Sequence, residues 1–125
     1  MTILTFKGFG GVRLEAEAIG DENDPTILLV HGVGQTRGEW HTVADALVQA
    51  GRRVVSLDLR GHGGSEWPES GRYDLEVHIE DLRAVLAQLG TRPVVVTSTS
   101  SGWVATVALA TDAANLAAGL VLVDM

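Results

Sequence analysis

The chain has 125 residues, 46% of them hydrophobic and 20% charged, which suits one folded domain with its own core. Its 9 lysines and arginines against 16 aspartates and glutamates give a formal charge of −7, and no basic cluster points to a nucleic-acid or anionic-membrane partner. The absence of cysteine excludes disulfides, thiolate metal sites and a cysteine nucleophile.

The N-terminal stretch MTILTFKGFGGVRLEAE has no basic region leading into a long apolar run, so no signal peptide is expected. Thr2 to Lys7 suits a strand, Gly8, Gly10 and Gly11 supply a turn, and Val12, Leu14, Ala16 and Ala18 then alternate with Arg13, Glu15 and Glu17. That period of two belongs to a half-exposed strand, and the pair predicts an antiparallel hairpin at a sheet edge. The pattern then changes to nearly continuous apolar runs: Ile27 to Val30, Val54 to Leu59, Pro93 to Val96 and Leu120 to Val123. Strands of a parallel sheet read this way because helices cover both of its faces.

Helical stripes lie between these runs. Trp40, Val43, Ala44, Leu47 and Val48 form one, with Gly51 as its stop. Leu75, Ile79, Leu82, Val85, Leu86 and Leu89 form another, opened by Asp74 as N-cap and closed by Gly90. Ser101 to Ala110 is apolar nearly all round, as in a helix buried in the middle of a domain. No residue from Pro93 to Thr111 is charged, but the hydroxyls of Thr97 to Ser101 and then Gly102 interrupt the stretch. A strand, a turn and a buried helix explain it better than a membrane span, and a soluble, cytoplasmic protein is expected. The alternation of strand and helix predicts an α/β fold: a doubly wound, mostly parallel sheet with an N-terminal antiparallel hairpin. Such a sheet collects its site at the C-terminal ends of its strands.

Each of three strand ends carries a distinct motif. The first is His31-Gly32-Val33-Gly34-Gln35, a glycine-rich turn that could cradle a phosphate. The P-loop pattern fails, because Gly32 and Gly38 are one residue too far apart and Glu39 stands where lysine is needed. A dinucleotide fingerprint fails too, with Glu66 or Arg13 at the last glycine position. The second end is Asp58-Leu59-Arg60-Gly61-His62-Gly63-Gly64-Ser65, and the third is Ser98-Thr99-Ser100-Ser101-Gly102, leading straight into a helix. A serine on a sharp strand-to-helix turn needs small residues two before and two after it. Ser100, between Ser98 and Gly102, meets that need; centring on Ser101 would put Trp103 at a small position. A serine there also suits a helix N-cap, and it is the two upstream motifs that favour the nucleophile.

In this order, the three strand-end motifs resemble the α/β-hydrolase superfamily over essentially the whole chain. The resemblance implies that Ser100 is the nucleophile and that the backbone N–H groups of Val33 and Ser101 form the oxyanion hole, each worth roughly 3 kcal/mol. It implies supporting turns at His31, Gly32, Ser98 and Gly102, a small-molecule substrate with an ester or related acyl bond, no metal and no organic cofactor. Ser98 departs from the pattern, since glycine is usual there. The family's chain order is nucleophile, acid, histidine, so residues 1–125 are expected to be the N-terminal portion of such a domain, lacking the triad histidine and inactive alone. Asp124, at a strand end, is a candidate for the triad acid as well as for a structural role.

Plainer roles are expected elsewhere. His31 and His62 hold loop geometry, while His41 and His78 are surface or packing residues. Glu76, Glu80 and Asp81 form a solvated helix face paired with Arg83. Trp40, Trp67 and Trp103 belong to the core or rim, with Trp103 near enough to the elbow to shape a pocket. The final apolar strand predicts an exposed sheet edge open to self-association. The alternatives to a serine hydrolase are a non-catalytic binding module on the same fold and an inactive fragment.

Overall fold

The computed structural model describes residues 1–110 and 115–123. β1 (Thr2–Lys7) and β2 (Arg13–Ile19) form the expected antiparallel hairpin, with Phe6 opposite Leu14 and Lys7 opposite Arg13. A short 3-10 turn at Phe9–Gly11 joins them. Along β2 the alternation becomes burial: Leu14, Ala16 and Ala18 are buried, while Glu15 and Glu17 are only partly so.

The remaining strands are β3 (Thr26–Val30), β4 (Arg53–Leu57), β5 (Val94–Ser98) and β6 (Gly119–Val123), giving one 6-stranded sheet in the order β1-β2-β4-β3-β5-β6. β2 joins β4 antiparallel, and β4, β3, β5 and β6 run parallel to one another. α1 (His41–Gln49) covers one face, where Trp40 and Ala44 pack on Leu29 and Val54. α2 (Leu75–Leu89) and α3 (Thr99–Ala110) cover the other, where Leu82, Val85 and Ala105 pack on Leu28, Val30 and Val55. Neighbours such as Leu28 and Leu29 point to opposite faces and both are buried, which is why these strands read as continuous apolar runs. Each fully buried Leu or Val contributes about 1.5–3 kcal/mol relative to exposure. The sheet is doubly wound, with its hairpin at one edge.

Several expectations shift in detail. β4 ends at Leu57 rather than Leu59, because Asp58 and Leu59 turn away into the following loop. Asp74 stands at the N-cap position of α2, but its carboxylate takes Arg72, with two contacts of 3.1 Å, and this pairing lowers its pKa. Val43 and Leu75 are exposed, whereas Val77, outside the expected stripe, is fully buried. α3 begins at Thr99, earlier than its apolar run, and it is not buried all round: Trp103 is 73% exposed. Among the described residues, no helix is long and apolar enough to cross a membrane.

Candidate active site

β5 passes into α3 with no loop residue between them, Ser98 closing the strand and Thr99 opening the helix. Ser100 therefore sits in the first helical turn, and it is exposed. The segment after β3 crosses directly over it. The Val33 N–H donates to Ser100 Oγ at 3.2 Å, and Ser98 Oγ lies 3.3 Å from the same oxygen. Gly32 is required by this approach, since a Cβ there would stand 2.7 Å from Ser100 Oγ and 2.9 Å from Ser98 Oγ. Gly102 lets α3 lie close to β6, because its Cβ would meet Leu122 at 3.0 Å. The buried Ser101 side chain donates to the His31 carbonyl at 2.6 Å and ties the start of α3 to the end of β3. The Ser101 amide belongs to the first helical turn, where N–H groups have no intrahelical acceptor and carry the positive end of the helix dipole. Ser98, Ser100, Ser101, Gly102, His31, Gly32 and Val33 thus form one cluster.

Two histidines staple the loops beside it. His31 Nδ1–H donates to the Gly32 carbonyl at 2.7 Å, and its Nε2 accepts the Leu59 N–H at 3.0 Å. His62 mirrors this from the other loop: Nδ1–H donates to the Arg60 carbonyl at 2.8 Å, and Nε2 accepts the Gly34 N–H at 3.0 Å. Each loop lends an imidazole to an amide of the other, and the two rings lie 5.0 Å apart. The geometry assigns both rings as neutral Nδ1–H tautomers; burial lowers the pKa of His31 and favours that state. Buried Asp58 completes the brace, accepting the Arg37 N–H and Nη1 at 2.7 Å each and the Gly64 N–H at 3.0 Å. Arg37 Nη1 also reaches Glu15 at 2.8 Å, linking β2 to both loops.

The expectation for Asp81 is overturned. It is 3% exposed and pairs with Arg60, itself 1% exposed, through contacts of 2.6 and 2.9 Å. Arg60 also donates to the carbonyls of Phe9 and Arg72, at 3.0 Å each, while Asp81 accepts the Phe9 N–H at 2.8 Å. Arg83 has Glu80 as an ion-pair partner instead, at 2.7 Å. The signal lay in spacing: Asp81 falls one turn from both Val77 and Val85, on the buried face of α2.

A small, mainly apolar cavity opens beside Ser100, lined in part by Val33, Leu57, Leu82 and Val104. His78 and Thr97 also line it, and among the described residues neither His78 Nδ1 nor Thr97 Oγ1 reaches a hydrogen-bond partner. Burial lowers the pKa of His78 as well. His41 is exposed, with Nε2 3.5 Å from Glu17. Trp40 is core; Trp67 is exposed, and Trp103 lines a separate groove with Thr106 and Leu122 instead of the Ser100 cavity. Asp124 lies outside the described residues.

Comparison with known proteins gives a consistent picture. Residues 25–125 match the model of the alpha/beta hydrolase fold family. An esterase of Mycobacterium tuberculosis is 37% identical over 101 residues, covering 81% of this chain and 33% of that protein. Epoxide hydrolase 3 of Xenopus tropicalis is 36% identical over 81 residues, covering 64% of this chain and 22% of its own. Among solved structures, an esterase from a Rhodococcus species superposes with a TM-score of 0.86 at 32% identity, covering 98% of this chain and 46% of that one. The chain spans about a third or less of the length of these two curated relatives.

Proposed function

The chain belongs to the α/β-hydrolase fold family, and on that premise we propose that it carries the nucleophile and oxyanion hole of a serine hydrolase acting on an ester or related acyl bond. Ser100 Oγ attacks the carbonyl carbon of a small-molecule substrate while a base takes its proton. The carbonyl oxygen gains the negative charge and accepts hydrogen bonds from the Val33 and Ser101 N–H groups. Collapse of this intermediate expels the alcohol and leaves Ser100 acylated, and water then releases the acid. The observation that carries the reading is the 3.2 Å contact from the Val33 N–H to Ser100 Oγ, because it puts an oxyanion donor within reach of the reacting oxygen. A serine in this position favours the acyl chemistry named for the esterase relatives over that named for the epoxide hydrolase, which needs a carboxylate nucleophile.

The proton acceptor is assigned, as the family order has it, to a histidine C-terminal to residue 125. His31 and His62 are unsuited, since both nitrogens of each ring are engaged. A second reading gives the role to His78, whose unpartnered Nδ1 shares a cavity with Ser100.

A fluorophosphonate probe tests both. It joins Ser Oγ to phosphorus as fluoride leaves, and intact mass with peptide mapping locates the adduct. Ser100 should be labelled, slowly in this chain and faster in a longer form containing the downstream histidine, with Ser100→Ala abolishing the label. Labelling that survives Ser100→Ala would move the nucleophile to Ser98 or Ser101. Labelling of this chain that is as fast as in the longer form and is lost in His78→Gln would establish the second reading. No labelling of the longer form would favour a non-catalytic binding module.

A further inference from the structure

Ser98 stands where the family resemblance leads one to expect glycine, and its hydroxyl is not idle. The residue is 4% exposed, so bulk water does not serve its side chain. Among the described residues, its hydrogen-bond partner is Ser100 Oγ at 3.3 Å, and that oxygen already receives the Val33 N–H at 3.2 Å. A serine oxygen has two lone pairs and one proton. With Val33 on one lone pair, Ser98 either donates to the other or accepts the Ser100 proton. The two arrangements have opposite consequences: the first leaves the Ser100 proton free for a base on the exposed side, and the second ties it down.

We propose that Ser98 is a positioning residue which donates its hydroxyl proton to Ser100 Oγ and holds the nucleophile in place during attack. The proposal rests on Ser100 being the nucleophile. Its logic follows from the double duty of the Val33 amide, which holds Ser100 Oγ in the resting site and must turn to the carbonyl oxygen once charge develops there. At that moment Ser100 Oγ loses one of its two donors. Ser98 stays, anchored at the end of β5 where it lies opposite Val123 in the register with β6. It keeps the oxygen oriented and stabilises the negative charge that Oγ gains as its proton departs. The site is tight enough to enforce this, since even a Cβ on Gly32 would lie within 3 Å of both hydroxyls, at 2.7 and 2.9 Å.

The test is the rate of fluorophosphonate labelling at Ser100 in the full chain, read alongside the melting temperature, for the unsubstituted protein, Ser98→Ala and Ser98→Gly. Both substitutions remove the hydroxyl without adding bulk, and glycine is the residue usual in the family. Each should slow labelling by about fivefold, the scale of one hydrogen bond, with the melting temperature unchanged. A structural role alone would lower the melting temperature along with the rate. Unchanged labelling, or faster labelling in the variants, would overturn the proposal; the faster result would mean that Ser100 donates to Ser98. The Val33 amide proton, read by NMR without any probe, separates this outcome from failure of the nucleophile reading. It should shift in Ser98→Ala as Ser100 Oγ is freed to rotate, and a Val33 resonance that does not move would sink the proposal whatever the probe does. A chain that takes no label in any form, with Val33 still responding to Ser98→Ala, would refute the role of Ser98 in attack while upholding its hold on the Ser100 hydroxyl.

Discussion

The loops that follow β3 and β4 brace each other, whereas the flank built by α3 and β6 stands open. On the braced side, His31 and His62 each fill an amide of the other loop, and Asp58, Arg37 and Glu15 tie both loops to β2. On the open side, Trp103 is 73% and Leu122 56% exposed, and β6 is an edge strand. Ser100 lies between the two, its oxygen held from the braced side by Val33 while its helix presents bare apolar surface on the other. The segment that carries the Val33 N–H, the proposed oxyanion donor, is thus held by polar side chains that have found their partners, while the helix carrying Ser100 is covered on one side only.

The largest expected effect comes from breaking the buried ion pair that ties the loop after β4 to α2. Asp81→Asn would leave the Arg60 guanidinium buried without its counter-charge, which costs about 3–5 kcal/mol. Glu80→Gln, one residue away but in a partly exposed pair with Arg83, should cost about 0–1 kcal/mol. Urea unfolding of the two variants side by side measures the difference, and equal midpoints would show that burial does not govern these pairs.

The next effect concerns His31. Replacing it with Phe keeps the ring but orphans the Leu59 N–H, at a cost of about 1–3 kcal/mol. It also carries a pH signature. Burial holds His31 and His78 below the ordinary histidine value of 6.5, so as pH falls through that value the unfolded chain takes up protons before the folded one does. Their contribution to stability is therefore complete above about 6.5 and declines toward lower pH. Melting temperature should fall on acidification, and less steeply in His31→Phe. Parallel slopes in the two proteins would exclude His31 as a titrating group.

The open flank should show the smallest effect on stability and a clear one on association. We expect the chain to self-associate through β6, because an apolar edge strand is a template for pairing with another chain. Val121→Lys, on an exposed position of that strand, should shift sedimentation toward monomer with little change in melting. A chain that sediments as a monomer at every concentration, with or without the lysine, would contradict this.

The two sides also differ in how far they could be read in advance. The alternation of β2, the continuous runs of the parallel strands and the Ser98-Ser100-Gly102 spacing were all legible, because each rests on local geometry that residue size and polarity reveal. The pairing of Arg60 with Asp81 was not, because periodicity counts an aspartate as polar and says nothing of a partner in another loop. The exposed face of α3 was hidden for the opposite reason. A helix apolar all round has no stripe from which to tell which side is covered, so Trp103 read as well for a buried position as for the exposed one it occupies. The positions of His31 and His62 in turns are legible in the sequence, but that each accepts an amide from the other loop emerges only once β3 and β4 lie side by side.

In the proposed reaction, the Val33 and Ser101 amides converge on the oxygen that gains charge when Ser100 attacks. Phosphonylation of Ser100 puts a charged oxygen in that place, and amide–anion hydrogen bonds are shorter and stronger than neutral ones. In a 15N-labelled chain carrying the adduct, the amide protons of Val33 and Ser101 should both move downfield relative to the free protein, further than those of any neighbour. An adduct on Ser100 that leaves both resonances where they were would show that its oxygen points to solvent, and that these two amides are not the oxyanion hole.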